Sequence, residues 1–227
     1  MKLKRLLALV GGVFSLALNS AFAQTDVTST YLTNADFEGE ATSYQKPKSD
    51  RDIYQPTGWN ISYTNGNEND VTSLGESTTQ WNQFSGKPQP TNGGSKAYWM
   101  RYRWGSSENI TLTQETRAAL PAGTYCVSVD SYSDDNTGNA IISVEGVSQT
   151  VRANGAWANY KVVFTLASEK KVTISLSYTN TAADDHAAAF DNVKILDVSN
   201  EPTGITLKNV LGGTSANRAD FNVWYND

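Results

Sequence analysis

"GTYCVSVDSYS", residues Gly123 to Ser133, sets Tyr125, Val127 and Val129 on one side of the chain and Cys126, Ser128 and Asp130 on the other. A period of two places the two sets on opposite faces of an extended strand, one apolar and one polar. The pattern returns in "NYKVVFTL", where Tyr160, Val162, Phe164 and Leu166 share a face. It returns again in "KKVTISLSYT", with Val172, Ile174, Leu176 and Tyr178. Turn residues separate the runs: Pro121-Ala122-Gly123, Asp134 to Asn139, and Ala153-Asn154-Gly155. No long stretch carries helical periodicity. Many short strands with one apolar face each specify an all-β fold, a two-layer antiparallel sandwich of Greek-key or jelly-roll type.

The final run of this kind is "AAAFDNVKIL", residues Ala187 to Leu196. Phe190, Val193, Ile195 and Leu196 suit a buried strand, but Asp191 and Asn192 break the run where Val or Ile would be usual. Residues 34–95 lack clear alternation. "SYQKPKSDRDIYQPTGWN" and "SGKPQPTNGGSK" are polar and rich in Pro and Gly, and they read as long loops at one end of the sandwich.

The chain ends differ from this body. Lys2, Lys4 and Arg5 precede an apolar run from Leu6 to Leu18, and Ala21-Phe22-Ala23 offers a small-residue cleavage site. Residues 1–23 therefore read as a secretory signal peptide cut after Ala23, placing the mature chain outside the cell, at its surface or in the periplasm. Residues 24–199 form the sandwich domain, and 200–227 read as a linker or tail, or as the opening of a further module. Loss of the leader's three basic residues leaves 15 of the 18 Lys and Arg against 23 acids, a net charge of −8. That balance argues against nucleic acid or an anionic membrane as partner, with no membrane insertion, and suits an extracellular protein meeting a neutral or cationic ligand. The single cysteine, Cys126, cannot form an internal disulfide, and the single histidine, His186, excludes His-rich zinc sites.

Several stretches in order resemble the carbohydrate-binding modules of the galactose-binding-like β-sandwich group. They are "NADFEGE" (Asn34–Glu40), "TGWN" with Trp59, "ENITLTQE" (Glu108–Glu115), "LPAGTYCVSVDSYS", "GAWANYKVVFTL" and "FDNVKIL". The resemblance spans Asn34 to Leu196. It implies a jelly roll, non-catalytic binding of a glycan or polysaccharide, and a structural Ca²⁺ where the first and last strands meet. Carried onto this chain, that ion would join Glu38 to Asp191, with Asn34 or Asp36 adding oxygens. The plainer reading is that Glu38 and Asp191 only cap nearby backbone amides. The likeness also leaves room for a neighbouring catalytic or surface protein as partner.

Sugar recognition needs aromatic faces for C–H stacking and planar polar groups for hydroxyls. In "KAYWMRYRWG", read as a strand, Tyr98, Met100, Tyr102 and Trp104 face the core, and Trp99, Arg101 and Arg103 form a stacking platform. Asp130 and Tyr132 join it if their strand lies alongside. Trp81 and Phe84, in a polar loop, make a competing site at the loop tips. Trp59 and Trp157 are assigned to packing. A glycosidase needs two carboxylates across a scissile bond, whereas the pairs Asp134-Asp135 and Asp184-Asp185 lie in turns and read as solvated caps. The sequence thus favours a binding module over an enzyme, with an adhesive or structural sandwich as the alternative.

Overall fold

Each alternating run becomes a strand, and the strands assemble as the two-layer reading requires. The computed structural model describes residues 24–45, 52–63, 71–75, 87, 88, 90, 94–101, 108–180 and 186–199. In chain order these form β1 (Thr25–Asp26), α1 (Thr28–Tyr31), β2 (Ala41–Gln45), β3 (Asp52–Pro56), β4 (Asn60–Tyr63), β5 (Val71–Gly75) and β6 (Ala97–Arg101). There follow β7 (Glu108–Glu115), β8 (Gly123–Ser133), β9 (Asn139–Val144), β10 (Val147–Thr150), β11 (Ala158–Leu166), β12 (Thr173–Asn180) and β13 (Ala187–Asp197). The leader (1–23) and the tail (200–227) lie outside the described residues.

A front sheet runs β11-β8-β13-β6-β5, with β1 added to β13, and a back sheet runs β10-β9-β12-β7-β4. Neighbouring strands are antiparallel throughout. The core between the sheets draws Tyr98, Met100, Val127, Val129, Phe164, Phe190 and Ile195 from the front. Ile110, Leu112, Ile142, Ile174, Leu176 and Tyr178 come from the back. Burying such side chains supplies the main driving force of folding, about 1.5–3 kcal/mol for each large one. Local turn chemistry agrees with the pairing. Glu145 (φ 52°) and Gly146 (φ 78°) connect β9 to β10, and two central residues at positive φ give the tight turn that matches strand twist.

The stretch 43–60, expected as a loop, instead carries the end of β2 and all of β3, which form a hairpin; within the irregular span 34–95, β4 joins the back sheet and β5 the front sheet. These strands have few large alternating residues, so periodicity did not announce them.

The chain ends of the domain are stitched together. Thr25 and Asp26 pair with Asp197 and Leu196. Val27 N donates to the Ile195 carbonyl, and Ile195 N to Thr28 Oγ1, both at 2.9 Å. Further along, Val193 N donates to the Ala35 carbonyl at 2.9 Å. The loop that follows is fixed by Phe37, fully buried and 5.3 Å from the Trp59 ring and 5.8 Å from Tyr98. Trp59 is buried, as its assignment to packing implies, and its Nε1 donates to the Asn34 carbonyl.

Candidate functional site

The outer face of the front sheet carries two neighbouring features, one aromatic and one polar. Alanines make the first possible. Ala189 pairs with Trp99 on β6 and with Tyr132 on β8, so it lies between them on the sheet. With only a methyl at Ala189, the two rings meet over it, centroids 5.5 Å apart. Trp157, just before β11, packs edge-on against Trp99 at 5.9 Å and also against Tyr132. Ala97, Ala187 and Ala189 complete this second apolar cluster.

Polar groups pin its border. Asp134 Oδ2 accepts hydrogen bonds from the Tyr132 hydroxyl and from Lys87 Nζ. Asp134 Oδ1 accepts from Ala187 N at 2.8 Å and lies 3.6 Å from His186 Nδ1. Burial first, then the Asp134 charge, pushes the Tyr132 phenol well above its ordinary range, so its hydroxyl stays a donor. Trp157 Nε1 donates to the Pro88 carbonyl at 2.9 Å.

The open platform expected from "YWMRYR" is not what the structure holds. Trp99 is 0% exposed, Tyr132 3% and Arg101 4%. These residues do share the face opposite Tyr98 and Met100, as the alternation implies, but they are covered. The strand pattern gave the side of the sheet; it could not tell whether other chain would lie over it. Arg103, Trp81, Phe84, Tyr102, Trp104 and the Asp184-Asp185 pair lie outside the described residues.

Beside the aromatic cluster runs a row of polar side chains. Asp130 on β8 faces Asn159 across the β8–β11 pairing. Asn159 Nδ2 donates to Asp130 Oδ1 at 2.8 Å and to Ser128 Oγ at 2.9 Å. From β13, Asn192 Nδ2 donates to Asp130 Oδ2 at 3.1 Å. A bulge between Asp191 and Lys194 brings Asn192 there, with φ 48° at Asn192 itself. Ser128, Asp130, Asn159, Asn192 and Lys194 line a cleft of about 210 Å³. Of these, sequence reasoning named only Asp130. Ser128 and Asn159 lie at alternate, outward positions of their strands, which was the available signal.

The seam near Asp191 is the third feature. Asp191 pairs directly with Asp130 across β8–β13, so two carboxylates stand on adjacent strands. Asp191 is fully buried; its Oδ1 accepts from Asn192 N, and Oδ2 has no hydrogen-bond partner. Burial, with the charges of Asp130, Glu38 and Asp36, raises its pKa from 3.8 to about 8 against the opposing Asn192 amide. Glu38 caps the turn before β6: Oε1 accepts from Ser95 N and Lys96 N, each at 2.7 Å, and Oε2 from Ser95 Oγ. Gly94, at φ 86°, is required there because a Cβ would overlap Glu38 Oε1. Asn34 Oδ1 accepts from Gly39 N, and Asp36 Oδ1 from Glu38 N.

As a cation site the set fits unevenly. Asp191 Oδ2 is a buried, unpartnered carboxyl oxygen that would ionise on binding a cation, whereas both Glu38 oxygens are already engaged in capping. Among the described residues no three His, Cys, Asp or Glu side chains gather closely enough to hold a metal. Any Ca²⁺ here would draw the rest of its oxygens from amide and main-chain carbonyls, which this ion accepts readily.

Asp135 also departs from its sequence reading. It is a cap, accepting from Thr137 N and Oγ1 and Gly138 N, but it is buried rather than solvated. Burial pushes its carboxyl up, and hydrogen bonds from the Tyr178 hydroxyl, Thr137 and Gly138 outweigh that and hold it below 3.8. Among the described residues no helix is long and apolar enough to cross a membrane.

The fold recurs in solved structures of other proteins. A cyclase from Fischerella sp. TAU is 14% identical with TM-score 0.53, covering 79% of this chain and 100% of the cyclase. An apo form cyclase from Fischerella sp. is 16% identical with TM-score 0.51, covering 77% and 100%. TmCBM61, in complex with β-1,4-galactotriose, is 16% identical with TM-score 0.45, covering 75% and 99%. At these identities the likeness to the two cyclases shows the fold alone, an all-β sandwich of two antiparallel sheets, and not an activity. No protein-family model matches the sequence, and no curated protein matches it significantly.

Proposed function

We propose that this chain is an exported, non-catalytic saccharide-binding sandwich of the galactose-binding-like kind, taking a neutral sugar on the polar row of its front sheet. The observation that carries the reading is the row Ser128, Asp130, Asn159 and Asn192, tied together by hydrogen bonds and lining a cleft. A sugar hydroxyl both donates and accepts, and side-chain amide, hydroxyl and carboxylate together answer both needs. Because the row is already tied, little side-chain entropy remains to be lost on binding. Trp157, half-buried and two residues before Asn159, offers an aromatic surface on the same side of the chain. Full burial of Asp191 supports binding without cleavage, since an acid catalyst must reach the bond it protonates. An exported module of this kind would serve to hold a neighbouring catalytic or surface protein on its polymer.

The test is a glycan array on the mature chain, repeated with Asn159→Ala. Binding to a neutral glycan that falls by tenfold or so in the variant supports the reading. The adhesive or structural alternative is favoured by one observation, the burial of Trp99 and Tyr132 in a packed cluster. It predicts a silent array.

The proposal includes one structural Ca²⁺ at the seam. Asp191 Oδ2 would be a ligand, with Asn34 and Asp36 supplying oxygens and Glu38 positioning the neighbouring turn. The ion would neutralise the carboxylates gathered around Asp191 and lock the first loop to the last strand in a domain whose single cysteine can form no internal disulfide.

A further inference from the structure

A second cleft, of about 610 Å³, lies where α1 and its following loop meet the bulge of β13. Its walls include Asp26, Asp36, Arg117, Asn192 and Lys194. Asn192 and Lys194 also line the smaller cleft of the polar row. The two clefts therefore share a wall, and that wall is the bulge. The register shift between Asp191 and Lys194 sends the Asn192 side chain to Asp130, while the amide of the next residue, Val193, bonds to Ala35 on the far side.

Size argues that the clefts work together. Pockets for small molecules usually enclose ~300–1,000 Å³. The polar-row cleft, at about 210 Å³, falls short of that alone. The larger cleft lies within the range. Charge specifies the ligand. With no ion at the seam, Asp26 and Asp36 balance Arg117 and Lys194, so the larger cleft is close to neutral while presenting both donors and acceptors. Arg117 is held in place by its hydrogen bond to the Ser29 carbonyl. An anionic chain would meet Asp36 and Asp26 on one side and Asp130 on the other. The described walls of both clefts hold no aromatic ring, so recognition within them rests on hydrogen bonds, with Trp157 lying outside the smaller cleft.

We propose that the two clefts form one groove across the β13 bulge, with Asn192 and Lys194 at its middle, and that it takes a neutral oligosaccharide longer than a single sugar. This rests on the saccharide-binding reading above and adds the length and charge of the ligand.

The experiment is isothermal titration of the mature chain with ladders of one to six units of cello-, xylo-, manno- and galacto-oligosaccharides, and with an oligogalacturonide ladder as the anionic control. Affinity for one neutral ladder should rise by at least about tenfold from one unit to four. Arg117→Ala and Lys194→Ala should each cost the four-unit ligand several-fold more than the one- or two-unit ligand, with circular dichroism at the assay temperature as the folding control. Asn159→Ala should weaken every length. Length-independent binding, or equal loss at all lengths in Arg117→Ala, overturns the groove and leaves the saccharide reading standing. Tighter binding of the oligogalacturonide overturns the neutral ligand. No binding on any ladder by folded protein overturns both.

Discussion

Replacing Asp191 with Asn isolates the acid buried at the seam. In the folded chain its pKa is raised to about 8, against 3.8 for an ordinary aspartate. Between those values the unfolded chain has released a proton that the folded chain keeps. Stability is therefore full below about pH 4 and declines as pH rises, the loss being complete just above pH 8. The slope is about 1.4 kcal/mol per pH unit, and the whole window sums to on the order of 5 kcal/mol. That rivals the entire stability of a marginal domain, ~5–15 kcal/mol. A cation on Oδ2 would remove the penalty by stabilising the ionised form. The assay is thermal melting at pH 5, 6, 7 and 8, with chelator and with added calcium. In chelator the wild-type midpoint should fall by on the order of 10 °C from pH 5 to 8. Asp191→Asn should flatten the curve and exceed wild type at pH 8. Calcium should restore the wild type at pH 8 and leave the variant unmoved. A flat wild-type curve in chelator, or the same slope in Asp191→Asn, refutes the raised pKa; an unchanged wild-type midpoint in calcium refutes the cation.

Other outcomes follow from contacts described above. Tyr178→Phe removes the hydroxyl bonded to buried Asp135 and should cost about 1.5–3 kcal/mol by urea unfolding. Because Asp135 is held below 3.8, its contribution is present above that pH and lost on acidification, so the variant should also show a weaker acid dependence. Ala189→Leu forces side-chain volume between Trp99 and Tyr132 and should destabilise by about 1–3 kcal/mol, with altered near-ultraviolet circular dichroism. Equal stability would show that the rings can part without cost. Gly94→Ala should be destabilising at any pH, since it combines a positive φ with an overlap on Glu38.

Period-two runs such as Gly123–Ser133 disclosed both sheets because one face of each strand is continuously apolar. The hairpin of β2 and β3 escaped notice because polar residues and Pro56 obscure any alternation there. Site residues were legible only as far as local pattern reaches. Asp130 and Tyr132 were assigned to the correct face, but they are packed by Asn159, Asn192, Trp99 and Trp157, which come from distant positions in the chain. The opposition of Asp130 to Asp191 depends on strand order and on the bulge, neither of which local sequence encodes. Asn159 and Ser128 belong to no motif; pairing of β8 with β11 alone makes them a site. Ala187 and Ala189, alternate small residues before Phe190, were the missed clue, because small residues on one face of a central strand leave room for large neighbours above them.

The most direct measurement on the central claim is binding of the mature chain to arrayed neutral glycans, beside the Asn159→Ala and Asp130→Asn variants. A defined neutral glycan should bind the wild type and weaken by roughly tenfold in each variant, with both variants folded by circular dichroism at the assay temperature. A silent array with folded protein, or a hit that both variants retain in full, would contradict it.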